Sequence, residues 1–274
     1  EYGRGHEHGR GRRREQEGRL VKHRHNLAIA RANRKLIQGK TLLTWSFMSP
    51  SVKQVQVKLT TDGRPIDAEV ELWDGPDNIP HKMSVFSECG YEHPFNAIIA
   101  TPGGWNSVAV RNTGLAEFPV KGQVLPVSPH DGPMGLMMEV AERGEDGDYY
   151  LDQEEGGSIV PLESRPQTIQ GGALRSFTFD PSVESVQVLL KTEGRPIQAK
   201  IELIQGPNNN KEVIKIYTQN GKTYPFYAVF ETMGRGSVIR IINEATVEFP
   251  ITALTTPYKI NYRNSYDQMA PIIR

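Results

Sequence analysis

One pattern occurs twice in this chain, and that duplication restricts the possible folds more than any other feature. Residues 50–59 read PSVKQVQVKL and residues 181–190 read PSVESVQVLL. Gly63-Arg64-Pro65-Ile66 returns as Gly194-Arg195-Pro196-Ile197, and Glu71-Leu72 with Gly75-Pro76 returns as Glu202-Leu203 with Gly206-Pro207. Pro94-Phe95 matches Pro225-Phe226, and Glu117-Phe118-Pro119 matches Glu248-Phe249-Pro250. These pairs lie 131 residues apart, while Asn106-Ser107-Val108 aligns with Gly236-Ser237-Val238 at an offset of 130, which places a one-residue gap in a loop.

Each copy reads as β structure. Val55, Val57 and Leu59 alternate with Gln54, Gln56 and Lys58; Ala68, Val70 and Leu72 alternate with Glu69 and Glu71. Ala199, Ile201 and Leu203 do the same around Lys200 and Glu202. A period of two means strands with one buried and one wet face. Asp62-Gly63, Asp74-Gly75-Pro76, Pro102-Gly103-Gly104 and Asn220-Gly221 supply turns between them. The expected fold is all-β: two tandem antiparallel β-sandwich, jelly-roll-like domains at 41–127 and 172–256. Glu117-Phe118-Pro119 and its twin read as a final strand with Phe as an anchor and Pro at the exit.

The flanks differ from the copies. Residues 1–40 form a basic arm, in which 19–37 (RLVKHRHNLAIARANRKLI) has the composition of a helix. Residues 128–171 read as an acidic linker that opens with a Met/Leu cluster (Met134, Leu136, Met137, Met138) and holds one short hairpin. Residues 257–274 read as an extended docking tail with Tyr258, Tyr262 and Tyr266 at a spacing of four. Formal net charge is zero, with 32 basic and 32 acidic residues. The arm carries 12 Lys+Arg against 4 Asp+Glu, about +8, which leaves 20 against 28, about −8, for the rest. Such a split predicts a basic arm that meets an acidic partner. The arm's Arg10, Arg12, Arg13, Arg14, Arg24, Arg31 and Arg34 are its contact residues, suited to carboxylates by bidentate pairing. Nucleic acid is the weaker option, because the arm lacks aromatics for base stacking and the body is acidic.

Other motifs carry two readings each. Arg64 and Arg195 follow turn glycines, either as a paired basic contact or, more simply, as loop arginines packed over the turn and paired with a strand carboxylate. Trp73-Asp74-Gly75-Pro76-Asp77-Asn78 offers oxygen ligands for calcium, but copy two has Gln205 and Asn208 at the acids, and a turn is the simpler account. Trp73, Tyr91, His93 and Trp105 of copy one offer either a sugar-stacking platform or edge packing. Cys89, the single cysteine, excludes an intrachain disulfide; in Glu88-Cys89-Gly90 it is a turn residue or a point of covalent attachment. His6, His8, His23 and His25 form two H-x-H pairs, read as part of a basic, pH-sensitive arm rather than a metal site. No Walker loop, nucleophile elbow or zinc spacing is present, so no catalytic or metal residue is assigned. No apolar run is long enough to span a bilayer. With Glu at position 1, no targeting segment is readable.

The combined pattern PSVxxVQVxL…GRPI…A-x-[IV]-E-L…GP-[DN]-N…PF…[NS]-x-V…N…EFP resembles β-sandwich proteins of algae with red-lineage plastids, notably red-algal phycobilisome linkers of rod–core or rod-associated type. The resemblance covers both copies, about 170 residues. It implies a non-enzymatic linker that organises acidic phycobiliproteins for light harvesting, on the stromal side of the chloroplast thylakoid. Its partners would be phycobiliproteins and other linkers, with no nucleic acid and no membrane insertion. Arg10–Arg34 of the arm and Tyr258, Tyr262, Arg263 and Tyr266 of the tail would be the contact residues. No cofactor is expected on the chain itself; bilins belong to the partners, with Cys89 the one candidate for covalent attachment. The alternative function is a tandem carbohydrate-binding β-sandwich protein.

Overall fold

The computed structural model describes residues 34–127, 134, 137, 138, 165–207 and 209–261. Copy one contributes β1 (Lys35–Ile37), β2 (Leu42–Phe47), β3 (Gln54–Thr60), β4 (Ile66–Asp74), β5 (His81–Ser87), β6 (Phe95–Ala100), β7 (Asn106–Asn112) and β8 (Val120–Pro126). Copy two repeats them as β9 (Gln167–Ile169), β10 (Leu174–Phe179), β11 (Val183–Lys191), β12 (Ile197–Ile204), β13 (Asn210–Thr218), β14 (Phe226–Glu231), β15 (Ser237–Asn243) and β16 (Ile251–Ile260). The first sheet runs β1-β8-β3-β6-β14-β11-β16-β9 and the second β10-β15-β12-β13-β5-β4-β7-β2, with every pairing antiparallel.

The all-β sandwich expectation holds, with one feature that periodicity within each copy does not announce. The copies are not separate blocks: β6 pairs with β14 and β5 with β13, so both sheets run through both copies. The register of the two joins is self-complementary. Ala97 lies opposite Ala228 and Ser84 opposite Lys215, and each pair joins equivalent positions of the repeat. A pseudo-two-fold axis therefore passes through both joins, as in an isologous dimer held within one chain.

The alternating apolar residues face inward as their period requires. Val55, Val57 and Leu59 pack with Val186, Val188 and Leu190 of copy two in one hydrophobic core continuous across the join. The offset of the repeat stays at 131 through β7 and β15: Val108 pairs with Leu72, and Ile239 with Leu203. The 130 alignment is thus corrected, since Ser237 rather than Gly236 is the partner of Asn106. It is β1 and β2 that shift, to 132: Gly39 and Gly171 sit at equivalent crossings where a Cβ would fall 1.9 Å from Leu115 O and 1.7 Å from Thr246 O. Only glycine lets those backbones touch.

The copies start earlier than 41 and 172. Lys35–Ile37 and Gln167–Ile169 are too short to show a period, yet each buries one isoleucine. The helix expected over 19–37 is corrected at its end, where Lys35–Ile37 pair with Val120–Gly122 as a strand; the rest of that segment lies outside the described residues. Pairing to β8 and burial of Ile37 override local helix preference here. The tail expected from 257 is strand as far as Ile260, with an irregularity in register near Pro257 that suits a residue lacking an N–H.

Glu117-Phe118-Pro119 precedes β8 as a loop instead of ending a strand. Its shape is set by a buried asparagine. Asn112 Nδ2 donates to Ile37 O (3.0 Å) and Phe118 O (2.8 Å), and its Oδ1 accepts from Gly114 N (3.0 Å). Asn243 repeats all three bonds with Ile169 O, Phe249 O and Ala245 N. The matched arginines complete the motif: Arg64 lies 5.2 Å from the Phe118 ring centroid and Arg195 5.8 Å from that of Phe249. They stack on aromatics rather than pairing with strand carboxylates.

The linker's Met cluster has no counterpart in the repeat. Met134, Met137 and Met138 are helical, not part of a hairpin. Met134 and Met137 are buried on the outer face of the first sheet, against Ile98, Leu189, Tyr227, Val229 and Leu254. They cover a hydrogen-bonded chain in which Tyr227 Oη donates to Gln187 Oε1 (3.0 Å) and Gln187 Nε2 donates to Thr256 Oγ1 (2.8 Å). Burial raises the Tyr227 phenol far above its ordinary range. Copy one has Gln56 bonded to Asn96 at the equivalent place (2.8 Å), a polar surface that needs no cover.

Candidate assembly surface

The join between copies is the first place where equivalent positions carry different chemistry. His81 and Glu212 are equivalent, as are His93 and Tyr224, and Ala100 and Glu231. His81 is buried opposite Thr218, and Glu212 is buried opposite Ser87. Ser87 Oγ donates to His93 O (2.7 Å), and His93 Nδ1 lies 2.7 Å from Glu231 O. Across the other end, Tyr224 Oη donates to Asp74 Oδ2 (3.3 Å) and Gln219 Nε2 to Asn78 Oδ1 (2.9 Å). Lys211 pairs with Glu88 (2.7 Å) and Arg235 with Glu92 (3.4 Å). Burial alone lowers His81 to about 4, and burial with nearby Glu231 raises Glu212 well above the carboxylate range. His81 is therefore uncharged at neutral pH, as a buried group without a counter-ion must be. His81, His93 and Glu212 are buried in the join, while the Lys211–Glu88, Arg235–Glu92 and Gln219–Asn78 contacts tie copy to copy at the surface.

The outer face of the second sheet is charged and ordered. Lys82 bridges Glu71 (3.0 Å) and Glu69 (3.5 Å), and Arg111 reaches Glu69 (3.9 Å). In copy two Lys200 and Arg240 pair with Glu202 at 3.0 and 3.3 Å. Burial pushes Glu71 up, but hydrogen bonds from Trp73 and Lys82 outweigh it and hold the carboxyl below its usual value. Phe86 and Tyr217, equivalent residues about the axis, stand exposed in the middle of this face.

At its two ends the same face carries equivalent corners of different shape. In copy one the corner includes Ser46, Phe47, Met48, Trp73, Trp105 and Ser107. In copy two the equivalent positions hold Thr178, Phe179, Ile204, Gly236 and Val238. Met48 is an insertion: the offset changes from 132 at Phe47/Phe179 to 131 at Pro50/Pro181. Matched turns fix the alignment, since Val52 N donates to Ser49 O and Val183 N to Asp180 O. Copy one thus gains an exposed methionine and two tryptophans, and the hollow left between them is about 230 Å³. Copy two lacks all three, and its hollow is about 590 Å³.

The residues singled out from the sequence are scattered over this frame. Trp73 and Trp105 share the copy-one corner, with Trp73 Nε1 donating to Glu71 Oε2 (2.9 Å). Tyr91 is exposed and His93 is buried at the join, so the four aromatics form no common platform. Asp74 accepts from Tyr224, and its N–H closes the turn onto Asn78 O (3.0 Å). Cys89 is half-buried in a turn where its carbonyl accepts from His93 N (2.8 Å). Arg34 is exposed just ahead of β1, and Tyr258 is partly exposed near the end of β16. Arg10, Arg12, Arg13, Arg14, Arg24, Arg31, Tyr262, Arg263, Tyr266 and the four arm histidines lie outside the described residues. No group of three metal-ligating side chains occurs among the described residues, and no helix among them is long and apolar enough to cross a membrane. The replacement of Trp73 by Ile204 and of Trp105 by an arginine-glycine stretch in copy two is legible in the sequence; sequence reading missed the Met48 insertion, whose signal is the change of offset.

The described residues form a duplicated all-β sandwich with its two copies joined through both sheets. The chain belongs to the diatom pyrenoid shell protein family, whose model matches residues 29–257. That family is one of structural shell proteins. The pyrenoid is a compartment of the chloroplast, in agreement with the chloroplast expectation. No curated protein matches the chain. Solved structures with some likeness include the PBSX exported protein XepA (8% identity, TM-score 0.26, covering 81% of this chain and 84% of that one) and a Sulfolobus turreted icosahedral virus structure (10%, 0.24, 82% and 93%). A third is the tandem CBM22 domain of Paenibacillus barcinonensis Xyn10C (11%, 0.23, 78% and 82%). Likenesses this remote carry no argument.

Family membership corrects the phycobilisome reading. The repeated motifs belong to the shell family, so the linker function, light-harvesting role and phycobiliprotein partners expected from the resemblance do not stand. The reason is physical as well. The motif residues Asn112, Arg64, Phe118 and their twins bond and stack within the sandwich, so the motif reports the fold. An excess of basic residues in an arm states the sign of a partner's charge, not its identity. Of the four aromatics weighed for carbohydrate binding, Trp73 and Trp105 share one corner, while Tyr91 and His93 lie apart from it.

Proposed function

We propose that this chain is a non-enzymatic building block of the pyrenoid shell, which associates laterally with copies of itself into a protein layer. One observation carries the reading beyond family membership: the two copies already associate edge to edge, through self-complementary strand pairing in both sheets. The same sandwich geometry leaves a further edge at each end of the slab, formed by β1 with β2 and by β9 with β10. A sandwich with equivalent ends suits extension into a layer. The described polar groups support no catalytic role, because His81, His93 and Glu212 are enclosed in the join.

Immunogold labelling of the protein in intact cells tests this. Labelling concentrated at the pyrenoid boundary is expected; label spread through the stroma or along thylakoids away from the pyrenoid would contradict it.

A further inference from the structure

We propose that the copy-one corner of one chain seats in the copy-two corner of the next, with Met48 and Trp105 filling the hollow over Gly236. This rests on the shell-building reading and names the contact that would propagate it. The two corners are one piece of architecture built twice. Phe47 matches Phe179, Gly75 matches Gly206 and Pro50 matches Pro181. What differs is bulk: Met48 is inserted, Trp73 replaces Ile204, and Trp105 replaces Gly236.

The sandwich does not use the added bulk. Trp105 is 72% exposed and Met48 66% exposed, whereas the equivalent corner folds without either. Exposed aromatics and methionines beside one another mark contact surfaces. The hollow suits them chemically. Phe179, Pro181, Ile204 and Val238 give it apolar walls. Ser237 Oγ lies in it, buried and with no partner among the described residues. Asp180 stands at its rim, its carboxylate kept ionised by hydrogen bonds from the Ser182 backbone and side chain. Either oxygen can accept from an entering indole N–H, a bond that a buried tryptophan needs. The occupant is a second copy because the knob and the hollow are the two ends of one face. Each chain offers one of each, so the contact is heterologous and does not close on itself as a two-fold dimer would.

Two variants of the full chain separate the halves of the contact. Trp105→Ala removes the knob and keeps the hollow. Gly236→Trp is designed to fill the hollow and keep the knob; a Cβ there meets Pro181 Cγ at an ordinary 3.5 Å. Circular dichroism confirms folding, and sedimentation reads assembly against concentration. Each variant alone is expected to raise the assembly threshold about tenfold or more, the size of a central tryptophan's contribution. Mixed one to one, they are expected to give a discrete heterodimer, because only one knob and one matching hollow remain. Assembly of both variants like the unaltered chain would overturn the inference and leave the shell-building reading standing. So would a mixture that stays monomeric, or a Trp105→Ala variant that loses glycan binding alone. An unaltered chain that never assembles would overturn both.

Discussion

Ala97 lies directly opposite Ala228 across the β6–β14 ladder, and the two residues are the same position of the repeat. Both methyl groups are buried in the one core that both copies share. The chain is thus a single cooperative body, and its fluorescence can show it. All three tryptophans, Trp45, Trp73 and Trp105, belong to copy one. Urea unfolding followed by tryptophan fluorescence should coincide with unfolding followed by far-ultraviolet circular dichroism. Ala228→Asp in copy two, which buries an unpaired charge, should lower stability by about 3 kcal/mol or more and shift the tryptophan transition of copy one equally. Two separate transitions would show that the copies fold independently.

Asn112 and Asn243 should prove equally costly to remove. Each donates two hydrogen bonds to buried carbonyls and accepts one. Asn243→Ala strands Ile169 O and Phe249 O away from water, and the expected loss is about 3 kcal/mol in the urea midpoint analysis. Asn243→Asp, isosteric but without the N–H donors, should lose a similar amount.

Stability should peak within a limited pH window. His81 titrates near 4 in the folded chain against 6.5 ordinarily, because burial disfavours its cation. Below pH 6.5 the unfolded chain binds a proton that the folded chain refuses, so stability falls by about 3 kcal/mol between pH 6.5 and 4. Glu212 acts in the opposite direction. Burial and Glu231 raise its folded value, so the unfolded chain releases the proton first and stability falls as pH rises above 4.5. Urea midpoints measured from pH 4 to 9 should show His81→Gln flattening the acid limb. Glu212→Gln should flatten the alkaline limb and stabilise the chain at pH 7.

The Met cluster of the linker makes a fourth prediction. Met137 is fully buried against the outer face of the first sheet, and Thr256 Oγ1 lies 3.7 Å from its sulfur. Met137→Ala should cost about 2–3 kcal/mol. Thermal unfolding followed by far-ultraviolet circular dichroism reads that loss as a lower midpoint. An unchanged midpoint would mean that Met137 contributes nothing to the stability of the first sheet.

The strands were legible because each core position repeats at a period of two and each repeat occurs twice. The inward placement of Val55, Val57, Leu59 and their twins follows directly. The join was hidden because strand partners across it carry no local signature: His81–Ser87 and Asn210–Thr218 read like any half-buried strands. The linker's role was hidden because Met134 and Met137 complement Tyr227 and Leu254, residues distant in sequence. The resemblance misled on function because its motif consists of residues that shape the fold. Asn112, Arg64 and Phe118 identify an architecture, and architecture by itself assigns no role. The corners were half legible: Trp73 and Trp105 stood out, but their shared position and the emptiness opposite Gly236 needed three dimensions.

The claim at the centre of this account is that the chain builds a layer from copies of itself. Electron cryomicroscopy of the purified full chain, imaged across a concentration series, tests that claim most directly. Extended sheets one sandwich thick, with a lattice repeat set by the two-copy slab, are the predicted result. Isolated 30.7 kDa particles at every concentration would contradict it.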